Sequence, residues 1–337
     1  MRILFHADVA HGQAAAVWRC RDLLKSAYGI ELMLPDNPDL PAGVDFALVH
    51  SLVEDWWKKL ENGPVVCLER IDGAQLSAPV RKFIGHPNLR AVIKNTIYAD
   101  WNFYNLAPWR WHENPIRASI AGHTTCQYDL LPANQLITPE QYAKLKLGFS
   151  FAAYPHMDSI RHPEPFELSQ PRPYTCHFAG TTDYGAEMGW LNWHRQQAVG
   201  AIKKLRDHRT ADANICYNCR EMQFPKYFAT MRQSEFVVSP WGLGEPCYRD
   251  FEAILSGCMV IKPDTRHILT VPGQFYRIPS IERCICKPDF SDLPDIVANV
   301  GRVSIGDRIQ WARHVAEQNS TPAIAGRLAR IFKGAVK

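Results

Sequence analysis

The stretch that decides the fold reads FVVSPWGLGEPCYRDFEAILSGCMVIKPD and occupies residues 236–264. It begins with an apolar run, passes through a loop that contains Gly242 and Gly244, and continues as a helical segment that Gly257 is expected to end. A second apolar run, residues 258–261, predicts a return to the same sheet. A strand, a glycine-containing loop, a helix and a strand in this order predict a β–α–β unit with parallel strands.

The start of this predicted helix has the residues of an anion site. In open α/β sheets, ligands bind at the carboxyl ends of the strands, where a helix presents unpaired amides and the positive end of its dipole. Arg249 adds a cation that suits a phosphate group. Glu252 follows on the same helix face, and its carboxylate can accept hydrogen bonds from two vicinal hydroxyls, as on a ribose. The segment therefore predicts a nucleotide site.

Residues 242–261 resemble the donor-binding segment of GT-B glycosyltransferases, above all the exostosin-like and fucosyltransferase-like members. The residues that match this pattern are Ser239, Pro240, Gly242, Gly244, Tyr248, Arg249, Glu252, Ala253, Gly257 and Cys258. The resemblance implies that Arg249 contacts the donor phosphates and that Glu252 holds the ribose. It also implies a nucleotide-sugar co-substrate, with neither a resident cofactor nor a metal ion.

Glu245 marks a departure from part of that family. Many retaining members carry two glutamates one residue further apart than Glu245 and Glu252 are here. The retaining signature is therefore absent, which favours inversion at the anomeric carbon. Two interpretations of Glu245 stay open: a contact with a sugar hydroxyl of the donor, or a solvated residue at the start of the helix.

Further donor contacts are predicted after the apolar run at residues 174–178, the first predicted strand of the second half. Gly180 and Thr181 follow this strand in a loop of small residues, where GT-B enzymes commonly approach the donor diphosphate. Arg195 could add charge there, although a solvated helix face explains it nearly as well.

The N-terminal part of the chain alternates between apolar runs and polar or turn-forming segments. The apolar runs predict strands at residues 2–5, 30–34, 46–50, 65–68 and 91–94. A helix between the first two is expected to end at Gly29. Strands joined by crossovers pair in parallel and need helices on both faces of their sheet. This is a Rossmann-like pattern, although no G-x-G-x-x-G follows its first strand.

Together the two patterns predict an α/β chain with two Rossmann-like domains that face a central cleft, the GT-B arrangement. Residues 1–170 form the predicted acceptor-binding domain and residues 171–310 the predicted domain for the nucleotide sugar. Residues 311–337 are predicted to be helical and can pack back on the N-terminal domain.

The catalytic candidates follow predicted strands of the first domain. An inverting transferase needs a general base that takes the proton of the acceptor hydroxyl. Asp8 and His11 follow the first strand, and Asp72 follows the fourth, so all three are expected to face the cleft. The alternative for each is a structural or substrate-positioning role.

Aromatic residues crowd the stretch after the fifth predicted strand. They are Tyr98, Trp101, Phe103, Tyr104, Trp109 and Trp111. One interpretation is an elaborated loop that packs on the sheet. The other is a wall that stacks on the sugar rings of a glycan or glycolipid acceptor.

Charge and cysteine content exclude other classes of protein. The 337 residues carry 38 Lys and Arg against 34 Asp and Glu, a net charge of +4, so neither a polybasic nucleic-acid coat nor a nucleic-acid partner is expected. No apolar run approaches the length of a membrane span, and we expect a cytoplasmic protein with at most peripheral membrane association. The ten cysteines are interpreted as reduced thiols. A zinc site would need both Cys216–Cys219 and Cys284–Cys286 to converge.

The sequence thus predicts a glycosyltransferase that moves a sugar from a nucleotide sugar to a hydroxyl group. Two alternatives remain. One is a sugar-nucleotide epimerase or hydrolase on the same fold, which would need no acceptor groove. The other is a transferase-like scaffold without activity.

Overall fold

The structure is a computed structural model, and it describes residues 1–10, 12–35, 43–71, 73–107, 129–160, 170, 172–185, 189–207, 213–216, 224–242, 244–271, 282–300 and 304–336. The strands are β1 (Arg2–His6), β2 (Glu31–Met33), β3 (Phe46–His50), β4 (Val65–Leu68), β5 (Leu89–Lys94), β6 (Thr96–Tyr98), β7 (Leu106–Ala107), β8 (Asp129–Leu130), β9 (Leu145–Leu147), β10 (Tyr174–Ala179), β11 (Ala213–Cys216), β12 (Ser234–Val238), β13 (Met259–Pro263), β14 (Ile268–Thr270) and β15 (Ile285–Cys286). The helices are α1 (Gly12–Trp18), α2 (Arg21–Tyr28), α3 (Ala78–Phe83), α4 (Pro139–Tyr142), α5 (Gly189–Asp207), α6 (Phe224–Arg232), α7 (Tyr248–Leu255), α8 (Leu293–Val300), α9 (Ile305–Gln318) and α10 (Thr321–Ala335).

The first sheet has the order β2-β1-β3-β4-β5-β9, and all its strands are parallel. Every residue of β3 and β4 is buried, which requires cover on both faces of the sheet. The single helix expected before Gly29 is two helices, α1 and α2. Gly29 ends α2 in the left-handed region, with φ 67°, as its position predicts.

The second sheet has the order β11-β10-β12-β13-β15 and is also parallel. Helix α7 forms the crossover from β12 to β13, and Gly257 follows it with φ 72°. All five residues of β13 are buried. The predicted α/β class with parallel sheets is therefore confirmed.

A short antiparallel ribbon, β6 with β14, connects the two sheets. The hydroxyl of Thr270 donates to the carbonyl oxygen of Asn95 at 3.0 Å, next to the ribbon. The sequence pattern did not predict this pairing, because each strand has only three residues.

Helix α10 packs on the first sheet, although it follows the second sheet in the chain. It contacts α1, α2 and β5, and the ring of Phe332 lies 5.6 Å from that of Phe46. Nε of Arg327 donates to the carbonyl oxygen of Gly148 at 2.9 Å. Ser320 is the N-cap of α10, and a proline lies in the first turn.

The aromatic stretch forms part of an apolar core. Tyr98 and Tyr104 are buried, with ring centres 4.9 Å apart, and the Tyr104 hydroxyl donates to the carbonyl oxygen of Ala74 at 2.8 Å. For these two residues the packing interpretation is correct. Trp109 and Trp111 lie outside the described residues. No helix in the described parts of the chain is long and apolar enough to cross a membrane.

Candidate functional site

The candidate site lies where the strand order of the second sheet reverses. The chain leaves β10 towards β11 on one side and returns to β12 on the other side. In open α/β sheets, such a reversal leaves a crevice between the loops that follow the two strands. Here these loops are residues 180–185, after β10, and residues 239–247, between β12 and α7.

Arg249 reaches this crevice from the first turn of α7. Its Nε donates to the carbonyl oxygen of Ala179 at 2.9 Å, and its Nη1 donates to the hydroxyl of Ser239 at 3.5 Å. Its guanidinium carbon also lies 5.3 Å from the centre of the Phe178 ring. The end of β10 and the loop after β12 thus hold the cation where both loops meet.

Arg195, from α5, reaches the same place. Its Nη1 donates to the carbonyl oxygen of Thr181 at 2.7 Å, and its Nε donates to that of Trp241 at 3.3 Å. The guanidinium carbon lies 4.8 Å from the centre of the Tyr184 ring. Arg195 is only 3% exposed, so its interpretation as part of a solvated helix face is wrong.

Gly180 lies beside both guanidiniums. A β-carbon at this position would be 2.5 Å from Nη2 of Arg249 and 3.2 Å from Nη1 of Arg195. The first distance is shorter than side chains allow, so any larger residue would displace Arg249. Gly180 therefore contributes to the site through the absence of a side chain.

Asp250 and Glu245 lie near enough for their charges to act on Arg249 and Arg195 respectively, but they pair with Lys262. Within the described part of the chain, no carboxylate forms an ion pair with Arg195 or Arg249. Burial, followed by repulsion from Arg249, lowers the pKa of Arg195 to about 10. Two neighbouring buried cations that form no ion pair with a described carboxylate favour the binding of an anion.

His177, on β10, is a buried neighbour of this pair. Burial, and then the charge of Arg249, lower the pKa of His177 to about 4. Neither ring nitrogen forms a hydrogen bond with another described residue. The imidazole is therefore neutral at neutral pH, and the positive charge of the site belongs to the arginines.

Glu252 lies one turn after Arg249 on α7, and two side chains from other elements face its carboxylate. The hydroxyl of Tyr227, on α6, donates to Oε2 at 2.8 Å. Nε2 of His156 lies 3.6 Å from Oε1. The Glu252 side chain is 9% exposed, so the carboxylate is nearly enclosed.

Tyr248, the first residue of α7, packs against the segment between the two sheets. Its ring centre lies 4.4 Å from that of Phe151, 5.5 Å from that of Tyr154 and 5.3 Å from that of His156. These contacts join the start of α7 to residues that belong to the predicted acceptor domain. Tyr248 therefore contributes packing next to Glu252.

Glu245 is buried under the loop in a network of charges. Nζ of Lys262, on β13, lies 2.6 Å from Oε2 of Glu245 and 3.2 Å from Oδ2 of Asp250. All three side chains are inaccessible to solvent. The interpretation of Glu245 as a solvated residue is therefore wrong, and its carboxylate is occupied by partners within the protein.

The same network uses backbone amides that were expected to face a phosphate. The N–H of Gly242 donates to Oε1 of Glu245, and the N–H of Cys247 donates to Oδ2 of Asp250 at 2.7 Å. Gly244, between them, is buried. These bonds fix the shape of the loop, and the positive charge that faces the crevice comes from the two arginines.

Asp8 is the catalytic candidate that the structure describes. It is exposed just beyond the end of β1, and its Oδ1 accepts a hydrogen bond from the N–H of Ala10 at 3.0 Å. The order of the first sheet reverses between β1 and β3, so Asp8 lies beside the corresponding crevice. His11 and Asp72 lie outside the described residues.

Glu69, at the end of β4, organises the loop that follows this strand. It is fully buried, and its carboxylate accepts hydrogen bonds from the hydroxyls of Ser51 and Ser77, both at 2.9 Å. Its oxygens also accept from the N–H groups of Ile71 and Ser77. Because all these partners are internal, Glu69 is a structural group of the loop.

Sequence reasoning missed three residues of the candidate site: Tyr227, His156 and Lys262. A lysine inside an apolar strand such as β13 requires acidic partners, so Lys262 did carry a readable signal. Tyr227 and His156 carry none, because nothing in their local sequence shows that they approach Glu252.

Metal-binding residues do not gather anywhere in the described residues: no group of three or more His, Cys, Asp or Glu side chains could hold an ion there. Cys284 and Cys286 are buried, and burial raises the pKa of the Cys284 thiol to about 12. Cys219 lies outside the residues that the structure describes.

No protein-family model and no curated protein matches the chain. Solved structures do match. An α,α-trehalose-phosphate synthase (UDP-forming) from Burkholderia vietnamiensis is 10% identical, over 95% of this chain and 79% of that chain, with a TM-score of 0.46. An α1,3-fucosyltransferase is 11% identical, over 95% and 90% of the two chains, with a TM-score of 0.39.

An α-glucosyltransferase, solved with UDP and a 13-mer DNA containing a HMU base, is 13% identical over the whole of both chains, with a TM-score of 0.32. All three are glycosyltransferases, the class that residues 242–261 resemble. Because these identities and TM-scores are low, no residue's role is transferred from these proteins.

Proposed function

We propose that this protein is a glycosyltransferase that moves a sugar from a nucleotide sugar to a hydroxyl group of a glycan or related acceptor. In this proposal, residues 171–310 hold the donor and residues 1–170 the acceptor. The supporting observation is the pair of buried guanidiniums beside Gly180, one turn of helix away from the carboxylate of Glu252.

The pair suits the diphosphate of such a donor. Each guanidinium has five N–H donors in total, and among the residues that the structure describes Arg249 and Arg195 each donate through Nε and Nη1 only. The remaining donors are available to phosphate oxygens. Glu252 can accept hydrogen bonds from the ribose hydroxyls, since neither of its oxygens is saturated by Tyr227 and His156.

The proposed reaction is a direct displacement with inversion. A general base removes the proton of the acceptor hydroxyl, whose oxygen forms a bond to the anomeric carbon. The bond from that carbon to the phosphate oxygen breaks, and the electron pair leaves with the nucleoside diphosphate. Arg249 and Arg195 would stabilise the developing negative charge on this leaving group without a metal ion. Asp72, Asp8 and His11 remain the candidates for the base.

Nucleotide binding tests the donor site. A calorimetric panel of UDP, GDP, CDP and ADP should identify at least one ligand of the wild-type protein. Glu252→Ala should weaken its binding about tenfold, because a charged hydrogen-bond acceptor for the ribose is lost. Glu317→Ala, which removes an exposed carboxylate from α9, is the matched control. Unchanged affinity in Glu252→Ala would contradict the donor-site assignment.

Turnover separates the proposal from its alternatives. The corresponding nucleotide sugar is incubated with and without a panel of glycan and glycolipid acceptors, and both nucleotide release and the conversion of the nucleotide sugar to an isomer are measured. A transferase releases nucleotide chiefly when an acceptor is present. Equal conversion without any acceptor would indicate an epimerase or hydrolase, and binding without any conversion would indicate a scaffold. Asp8→Asn and Asp72→Asn then test the proposed bases.

A further inference from the structure

We infer that His156 is a positioning residue that sets the preference of the site for a nucleotide with intact ribose hydroxyls. The inference rests on the proposed nucleotide site. The two oxygens of the Glu252 carboxylate have different neighbours: Tyr227 donates to Oε2 at 2.8 Å, whereas Nε2 of His156 lies 3.6 Å from Oε1. Tyr227 belongs to the same half as Glu252, but His156 lies in the 3₁₀ turn Pro155–Ser159, which precedes the second sheet.

The two contacts orient one carboxylate for two hydroxyls. A carboxylate oxygen has two acceptor positions, so each oxygen of Glu252 keeps one position for a ligand after its contact with Tyr227 or His156. Vicinal hydroxyls need both oxygens at a fixed orientation. Tyr227 fixes only Oε2, and rotation of the carboxylate about its terminal bond is restricted when Oε1 is held as well.

The distance between His156 and Glu252 can shorten to a hydrogen bond when a nucleotide binds. At 3.6 Å, the separation of Nε2 and Oε1 exceeds a hydrogen bond but lies within ion-pair range. With a proton on Nε2, a movement of less than 1 Å would make the ring a donor to Oε1. Such bonds are often long in an unliganded site and shorten when the ligand is present.

Packing keeps the imidazole near this position. Its ring centre lies 5.3 Å from that of Tyr248 and 6.5 Å from that of Tyr154. The side chain is 31% exposed, so one side of the ring is open while Glu252 is nearly covered. A ribose that approaches the carboxylate from the side of His156 would pass the exposed part of this ring.

Loss of the contact between His156 and Glu252 should weaken the binding of the ribose and leave the binding of the diphosphate unchanged. Arg249 and Arg195 are held by Ala179, Thr181, Ser239 and Trp241, and by no contact with His156 among the described residues. A variant without the imidazole should therefore bind a nucleotide that lacks ribose hydroxyls as well as the wild type does. It should lose affinity only for the intact nucleotide.

The experiment compares UDP, GDP, CDP and ADP with their 2′,3′-dideoxy analogues by calorimetry. For the nucleotide that binds, the wild type should prefer the intact ribose about tenfold. In His156→Ala this preference should fall to about twofold, with unchanged affinity for the dideoxy analogue. His156→Gln, whose amide N–H can replace Nε2–H, should restore most of the preference. His314→Ala, which removes an exposed histidine from α9, should behave as the wild type.

Two results would overturn the inference in different ways. If His156→Ala weakens the intact and dideoxy nucleotides by the same factor, His156 supports the fold of the site and has no role in ribose preference. If the wild type binds both forms equally, or binds no nucleotide, then the proposed role of Glu252 fails and the inference fails with it.

Discussion

At Gly180, the lack of a side chain determines where two cations can lie. A β-carbon at this position would lie 2.5 Å from Nη2 of Arg249 and 3.2 Å from Nη1 of Arg195. Their backbone partners hold them there despite the mutual repulsion that helps to lower the pKa of Arg195. The methyl group of an alanine at position 180 should therefore displace a positive charge within the crevice while the net charge of the crevice stays the same.

Gly180→Ala is expected to reduce nucleoside diphosphate affinity about tenfold, because Arg249 must move away from the loop. Calorimetric titration measures the change. Gly200→Ala is the matched control and should leave binding unchanged, since the β-carbon it would add on α5 has no neighbour within 4 Å apart from the adjoining backbone of its own helix. Equal affinities for Gly180→Ala and the wild type would show that Arg249 does not contact the nucleotide.

Lys262 connects β13 to the loop before α7 through its ion pairs with Glu245 and Asp250. Burial alone would lower its pKa, but Asp250 and Glu245 outweigh this and raise the pKa above its ordinary value, so the ammonium stays charged. The two carboxylates in turn accept N–H groups of Gly242 and Cys247. The buried lysine thus holds the loop that carries Ser239 and leads to Arg249.

Lys262→Met should destabilise the protein by about 3–5 kcal/mol, because two buried carboxylates lose their only described cationic partner. Urea unfolding at neutral pH measures the loss. Adding Glu245→Gln should recover part of it, since the amide oxygen can still accept from Gly242 and one uncompensated charge is removed. A single variant as stable as the wild type would show that the network contributes nothing to folding.

The elements also show what sequence spacing can predict. The helix that carries Arg249 and Glu252 was correctly predicted, as was their shared face, because both depend on one helical period. The spans of β3 and β4 were predicted to the residue, since each contains four consecutive apolar residues. Tyr227 and His156 were not predicted, because their approach to Glu252 depends on which elements meet in three dimensions.

In the molecule as a whole, α10 packs the last described residues of the chain against the first sheet. Phe332 is fully buried against Phe46 within an apolar cluster that also includes residues of the second sheet. The ribbon β6–β14 adds a second connection between the sheets. The two sheets should therefore unfold together.

Phe332→Ala is expected to cost about 3–5 kcal/mol through loss of apolar contact and the cavity left behind. Thermal unfolding should show one transition, shifted to lower temperature, whether it is followed by far-UV circular dichroism or by tryptophan fluorescence. Arg330→Ala, an exposed substitution on the same helix, should leave the transition in place. Two separate transitions in Phe332→Ala would show that the sheets unfold independently.

The position of α10 also has a consequence during protein synthesis. Strands β1–β5 leave the ribosome before the second sheet and α10, and the face of their sheet around Phe46 is covered only when residues 321–335 have been made. The first sheet is therefore completed only after α10 has been made, and until then its exposed apolar face is a point at which nascent chains can aggregate or bind a chaperone.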